Sequence, residues 1–141
     1  MVGENARHRP ASLPDGVIAC DHAPFSELFP QAAVIAHAGG VGTTGLAMRS
    51  GRPTLVVPYA HDQPDNAERV ARLRIARTVP AWRYTPDRAA AELLRLLENP
   101  MHEQRASEVA EQVRQEDGVR AACDALEGLL QTARTPGAVG T

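Results

Sequence analysis

Short apolar runs that alternate with helical segments constrain this chain more than any other feature. The runs are Val17–Cys20, Ala33–Ala36, Thr54–Val57 and Ile75–Val79, and none of them shows a regular two-residue apolar/polar pattern. A continuous apolar run is typical of a strand that is buried on both faces, as in a parallel sheet covered by helices. We therefore predict an α/β fold with a parallel sheet and flanking helices.

Helical periodicity fills the intervals between these runs. Predicted helices cover Thr43–Ser50, a segment that starts near Asn66 with Asp65 as its cap, Asp87–Leu97, residues 101–115 and residues 118–131. We interpret residues 1–16 as an N-terminal loop, residues 17–131 as one domain and residues 132–141 as a flexible tail. Because the first 16 residues cannot supply a strand and a helix, we expect the domain to lack its first strand–helix unit.

Charge, hydropathy and cysteine usage exclude several classes of protein. The 15 basic and 17 acidic residues leave a net charge of −2, so nothing indicates a nucleic-acid partner. No apolar run approaches the roughly 20 residues that span a bilayer. Cys20 and Cys123 lie far apart without metal-ligand spacing. We therefore expect a reduced, cytoplasmic chain without a metal site.

A glycine-rich stretch between the second apolar run and the next helix carries the strongest chemical signal. Its candidate residues are His37, Gly39, Gly40, Gly42, Thr43 and Thr44. Glycines let a ligand approach the backbone closely, and a helix start offers unpaired N–H groups to an anion. We predict a phosphate site to which His37 donates a ring hydrogen. The alternative is a tight strand-to-helix turn in which His37 is structural.

The same stretch also matches the pattern G-x-G-x-x-G through Gly40, Gly42 and Gly45, with Asp62 further along the chain. That pattern is found in dinucleotide-binding proteins. The dinucleotide interpretation is the weaker one, because the acidic residue should close the next strand and Pro58 already ends it.

Two further clusters follow other apolar runs. Asp62 and Gln63 offer a carboxylate and an amide side by side, a combination suited to sugar hydroxyls, although Asp62 could also cap a helix. His22 and Ala23 follow the first run, where an exposed ring and backbone could meet a flat base. A plain loop is the alternative for that pair.

Taken in order, these clusters resemble the C-terminal, donor-binding half of the GT-B glycosyltransferases, in particular the bacterial macrolide-type and sterol-type UDP-glycosyltransferases. The resemblance runs from Val17 to Leu73 and more loosely to Leu130. It depends on these anchors: Pro24 with Leu28–Pro30, His37–Thr44, Gly51–Pro53, Pro58 and Asp62–Pro64. It implies a Rossmann-like parallel sheet that forms part of the C-terminal domain of such an enzyme.

The resemblance also implies a role for each matching residue. His37 would contact the diphosphate of a UDP- or TDP-hexose, and Gly39, Gly40, Gly42, Thr43 and Thr44 would complete the cradle. Asp62 and Gln63 would hold hydroxyls of the transferred sugar, while His22 and the Ala23 backbone would meet the base. Transfer in this family needs no metal or other cofactor. Gly45 departs from the family, since many relatives carry there a Glu that binds the ribose.

The acceptor site and the general base belong, in the family, to an N-terminal domain that we expect to be absent from this chain. The first hypothesis is therefore a glycosyltransferase donor half that serves a small lipophilic acceptor and carries no catalytic base of its own. The second hypothesis is a non-catalytic module that binds a nucleotide or a nucleotide sugar. The third is an inactive fragment that self-associates through an exposed sheet edge.

Overall fold

The computed structural model describes residues 12–134 of the chain. Three short strands, β1 (Ile35–His37), β2 (Thr54–Val56) and β3 (Ala76–Thr78), form a parallel sheet in the order β1-β2-β3. The helices are α1 (Phe25–Leu28), α2 (Val41–Ser50), α3 (Gln63–Arg72), α4 (Pro86–Glu98), α5 (Pro100–Gln115) and α6 (Gly118–Arg134). The α/β class and the parallel sheet with flanking helices are confirmed.

Strand β2 is the centre of the core because it is covered on both faces. All three of its residues are buried, and successive side chains point to opposite sides of the sheet. Val56 packs in a cluster with residues of α3 and α5, whereas Leu55 and Val57 pack with Leu96 of α4 on the other face. This two-sided burial explains why the strand is a continuous apolar run in the sequence.

A smaller cluster flanks the edge strand β1. The rings of Phe25 and Phe29 stack with centroids 4.6 Å apart. Phe29 then packs with Ile35 of β1 and Ala47 of α2. In the described part of the chain, β1 pairs only with β2, so its other edge has no strand beside it.

The prediction of a strand at Val17–Cys20 is wrong. These four residues have neither helical nor strand structure, and Val17 and Ile18 are 51% and 90% exposed. The physical reason is that a strand needs a neighbour to take its backbone hydrogen bonds. Within residues 12–134 no strand lies beside this run.

The helix cap predicted at Asp65 is also wrong. Helix α3 begins at Gln63 and has Asp62 in the N-cap position, with Pro64 in its first turn. Proline suits that position because the first-turn amides have no intrahelical acceptor to lose. Asp65 instead lies inside the helix, where it forms an ion pair of 2.7 Å with Arg69 one turn later.

The two ends of the chain lie only partly within the described residues. Residues 12–16 have no helix or strand, and residues 1–11 of the predicted loop lie outside the described part. Helix α6 extends to Arg134 and so includes the first three residues of the predicted tail, whereas residues 135–141 lie outside. Four large apolar residues of α6 are exposed: Val119, Leu126, Leu129 and Leu130. Among the described helices, none combines the length and hydropathy that crossing a bilayer requires.

A nearly buried carboxylate fixes α4 to β3. The Glu92 side chain is 5% exposed and accepts a hydrogen bond from Arg77 of β3. Arg95 contributes a second bond of 2.7 Å, and Arg88 lies 4.0 Å away. The hydrogen bond from Arg77 is the largest cause that holds the pKa of Glu92 below its usual value.

We expect Glu92→Gln to lower the free energy of unfolding by roughly 2–3 kcal/mol at pH 7, because it removes the charge that the arginines surround. The loss should shrink as the pH falls below the ordinary glutamate pKa and vanish below the lowered pKa of the folded state, because the ionised Glu92 contributes its full stability only above the ordinary pKa. Urea denaturation of the wild type and the variant, at pH 7 and again well below the ordinary glutamate pKa, measures the difference. The exposed Glu98→Gln on the same helix is the matched control, and an equal loss there would contradict the assignment.

Candidate functional site

The start of α2 lies at the carboxyl edge of the sheet, because the helix follows the end of β1 after a three-residue turn. Gly40 is the N-cap residue and has no side chain to cap the helix. Thr44 is the first residue whose amide bonds within the helix, to the Gly40 carbonyl at 2.9 Å. The amides of Val41, Gly42 and Thr43 therefore have no acceptor inside the helix. Together with the helix dipole, they make this end a natural site for an anion.

The glycines of this stretch divide into two kinds. Gly39 is buried with φ of 91°, and a Cβ there would lie 2.9 Å from Cγ1 of Val56 and 3.2 Å from the Gln63 carbonyl. At Gly40 and Gly42 an added Cβ would meet nothing within 4 Å. Gly39 is thus required by the fold, whereas close packing does not require a glycine at Gly40 or Gly42.

His37 lies at the last position of β1, with its ring against this turn. The Gly39 N–H donates to Nδ1 of His37 at 3.0 Å, so in the neutral ring the proton is on Nε2. Nε2 is buried and has no hydrogen-bond partner in the described part of the chain. Burial also lowers the pKa of His37. Both observations favour a neutral ring whose Nε2–H donor no described residue satisfies, and such a donor is costly to bury without a partner.

The two threonines differ in what their hydroxyl groups do. Thr44 is buried, and its Oγ1 donates to the Gly40 carbonyl at 2.9 Å, which secures the first turn of α2. Thr43 is half-buried and lines an open cavity together with His37. Of the two predicted cradle hydroxyls, Thr43 is therefore the one placed beside the open space.

The segment between β2 and α3 brings the second cluster to the same edge. Oε1 of Gln63 accepts from the amides of Tyr59 and Ala60 at 2.8 and 3.2 Å, which leaves its NH₂ group as a donor. Asp62 is exposed at the helix N-cap. His61 has φ of 59°, so the backbone turns through the left-handed region immediately before these two residues.

Asn66 connects the two clusters, a role that the sequence analysis missed. Its Nδ2 donates to the Gly39 carbonyl at 2.9 Å and to Oδ2 of Asp62 at 2.7 Å. The signal in the sequence was the four-residue spacing of Asp62 and Asn66, which places them on one helix face. A helix that started near Asn66, as predicted, would have left Asp62 outside it, so the spacing could not be interpreted as a shared helix face.

The third cluster is only partly brought to the site. Ala23, His37 and Thr43 line one open cavity of about 490 Å³. The remaining walls of this cavity are mostly apolar: Cys20, Phe25, Leu28, Phe29, Ala32, Val34, Ile35 and Ala36. His22 is exposed and is not a lining residue. Among residues 12–134, no group of three or more His, Cys, Asp or Glu side chains is arranged to hold a metal ion.

Comparison with known proteins assigns the family. The family model described as "Erythromycin biosynthesis protein CIII-like, C-terminal domain" matches residues 1–126. The chain belongs to this family. It is a C-terminal domain family of GT-B glycosyltransferases, so the resemblance predicted from the glycine-rich stretch and the Asp62–Gln63 cluster is confirmed.

Individual relatives agree with this assignment. The O-mycaminosyltylonolide 6-deoxyallosyltransferase of Streptomyces fradiae is 36% identical over 130 residues, which cover 89% of this chain and 31% of the relative. The glycotransferase of kitacinnamycin has a TM-score of 0.80 at 33% identity and covers 89% of this chain and 33% of its own. The glycosyltransferase VinC, solved in complex with DTDP, has a TM-score of 0.70 at 36% identity. The match covers 74% of this chain and 27% of the VinC chain. This chain thus spans about a third of these proteins.

We expect Gly39→Ala to lower the free energy of unfolding by about 2–4 kcal/mol, because the new methyl group would clash with Val56 and require a strained backbone. Gly42→Ala should leave stability unchanged or raise it by about 0.5–1 kcal/mol, since alanine suits a helix better than glycine. Urea denaturation of both variants measures the contrast. An equal loss of stability in the two variants would contradict the conclusion that only Gly39 is required by the fold.

The lowered pKa of His37 predicts a pH-dependent contribution to stability. Below the ordinary histidine pKa of 6.5 the unfolded chain binds a proton that the folded ring resists, so the fold loses stability as the pH falls. We compare the wild-type chain with His37→Gln, so that other titrating groups cancel in the difference. As the pH falls from about 7.5 to 5.5, the free energy of unfolding of the wild type should decrease relative to that of His37→Gln. A constant difference would show that the ring titrates normally.

Proposed function

We propose that this chain is the donor-binding part of a glycosyltransferase that holds a UDP- or TDP-hexose. The glycosyl group would pass to a hydroxyl of a small lipophilic acceptor, for which a separate acceptor domain would supply the general base and most of the binding site. The observation that carries this proposal is the orphan Nε2–H of His37 beside the uncapped start of α2. Both kinds of fixed donor would then serve the same anion, which is what a diphosphate requires.

In this proposal the diphosphate lies across the N-terminus of α2. The amides of Gly42 and Thr43 and the Nε2–H of His37 would bind its oxygens, and the Gly39 amide keeps the ring oriented. As the bond from the sugar to the diphosphate breaks, negative charge builds up on these oxygens. Donors that are already in place stabilise that charge without having to reorganise. We propose that these groups do this without a metal ion.

The sugar would lie next along the sheet edge, against the segment that follows β2. Asp62 supplies an acceptor for hydroxyl hydrogens, and the NH₂ of Gln63 supplies a donor, because its Oε1 is the atom that holds the Tyr59 amide. Asn66 holds Asp62 at a fixed position relative to the glycine turn. The base would contact Ala23 at the apolar cavity, with His22 at its rim.

Between the two nucleotides, two observations favour TDP. VinC, which is 36% identical, was solved with DTDP. In addition, Gly45 offers no carboxylate where many UDP-dependent relatives carry one for the ribose hydroxyls. A deoxyribose has one hydroxyl fewer to bind.

Calorimetric titration of dTDP and of UDP into the folded chain tests the proposal. We expect saturable binding, with dTDP at least as tight as UDP and no change on adding a chelator. His37→Asn retains an acceptor near the Nδ1 position but lacks the distal donor. It should weaken binding roughly tenfold to a hundredfold, the loss expected of a hydrogen bond to a charged group.

Three controls make this experiment specific. His37→Gln places an amide NH₂ near the Nε2 position and should recover part of the affinity. His102→Gln, at a half-buried histidine outside the site, should leave affinity unchanged. Asp62→Ala should weaken the binding of a TDP-hexose but not of dTDP. A folded chain that binds neither nucleotide, or a His37→Asn variant with normal affinity, would refute the proposal.

A further inference from the structure

The aromatic residues of this chain are few and unevenly placed. It has one Trp, two Tyr and two Phe. Both Phe rings stack on each other beside β1. The other three are exposed, with Tyr59 at 66%, Trp82 at 82% and Tyr84 at 45%. All three follow β2 or β3, so they lie at the carboxyl edge of the sheet, where the proposed donor site is.

Hydrogen bonds connect these aromatic residues to the proposed sugar subsite. The amide of Tyr59 donates to Oε1 of Gln63 at 2.8 Å, so Tyr59 directly adjoins a residue proposed to bind the sugar. The amide of Ala81 donates to the Pro58 carbonyl at 3.3 Å. This bond joins the two segments at the positions next to Tyr59 and Trp82.

The order of the strands gives the order of the subsites. The diphosphate is proposed at the end of β1 and the sugar at the end of β2, and neighbouring strands are about 4.8 Å apart. The next position along the edge is the end of β3, which leads into Ala81–Arg83 and Tyr84. A group placed there would meet the sugar on the side away from the diphosphate. An acceptor hydroxyl that directly displaces the diphosphate would approach the sugar from that side, opposite the leaving group.

We propose that Tyr59, Trp82 and Tyr84 form an apolar platform that contacts the lipophilic acceptor. This inference rests on the proposed function and extends it to the acceptor. Trp and Tyr rings present large apolar faces with few torsions to freeze, and they carry a polar atom for the wet rim of a site. Covering such an exposed ring with an apolar molecule is favourable, because it removes apolar surface from water. The residues would therefore influence which acceptor is bound rather than how the donor is held.

The single tryptophan makes the proposal directly measurable. Trp82 is the only Trp in the chain, so selectively excited emission reports this surface alone. The probe is the macrolide O-mycaminosyltylonolide, titrated into the full chain with saturating dTDP. We expect a saturable blue shift as the indole is covered. Tyr84→Ala and Tyr59→Ala should each weaken this binding about five- to tenfold.

Controls separate this inference from the proposed function and from other occupants. Both Tyr variants should bind dTDP with wild-type affinity, and Leu129→Ala, which truncates an equally exposed apolar side chain on α6, should bind the macrolide normally. A chain that binds dTDP but shows no change in emission overturns the platform and leaves the donor site standing. Emission that shifts with protein concentration alone also overturns it, because a second copy would then cover these rings. A chain that binds no nucleotide overturns both.

Discussion

At Gly39 the turn from β1 into α2 passes so close to β2 and α3 that only a hydrogen atom fits on the Cα. Everything proposed for the site depends on this close approach. It lets the Gly39 amide reach the ring of His37, and it lets the Gly39 carbonyl accept from Asn66. One residue without a side chain thereby sets the tautomer of the histidine and the distance between the two halves of the site.

The groups proposed to bind the diphosphate are neutral donors rather than cations. Burial lowers the pKa of His37 and so favours its neutral ring, and the other donors are backbone amides at a helix start. Such donors are fixed by the fold, so they bind an anion without an ion pair that must first be desolvated. The charged arginines of β3 and α4 are instead occupied with Glu92, where they fix the helix to the sheet. Charge thus stabilises the fold here, whereas the proposed diphosphate site relies on oriented dipoles.

A parallel sheet also arranges the proposed subsites in sequence. Each strand delivers one loop to the same edge, and the loops differ in chemistry: glycine and histidine after β1, carboxylate and amide after β2, and aromatic rings after β3. Their linear order along the edge matches the order of diphosphate, sugar and acceptor in a glycosyl transfer. Two hydrogen bonds, from Asn66 to Gly39 and from Ala81 to Pro58, hold adjacent loops together.

Much of this could be read from the sequence because the signals are local. A buried strand followed by glycines predicted the β1–α2 turn, and the apolar runs at Thr54–Val57 and Ile75–Val79 predicted two of the three strands to within a residue. Val17–Cys20 has the same apolar character and yet is not a strand, because a strand depends on a neighbour that no local pattern specifies.

The remaining features were decided by contacts between residues distant in sequence. Gly39 and Gly42 look alike in the sequence, but only Gly39 faces Val56 and Gln63 across the turn. Asn66 joins the two clusters only because α3 starts at Gln63 and packs beside that turn. The sequence by itself determined which chemical groups follow each strand. The tertiary structure decided which of them meet, because distances across a sheet edge depend on the packing of helices and strands that are far apart along the chain.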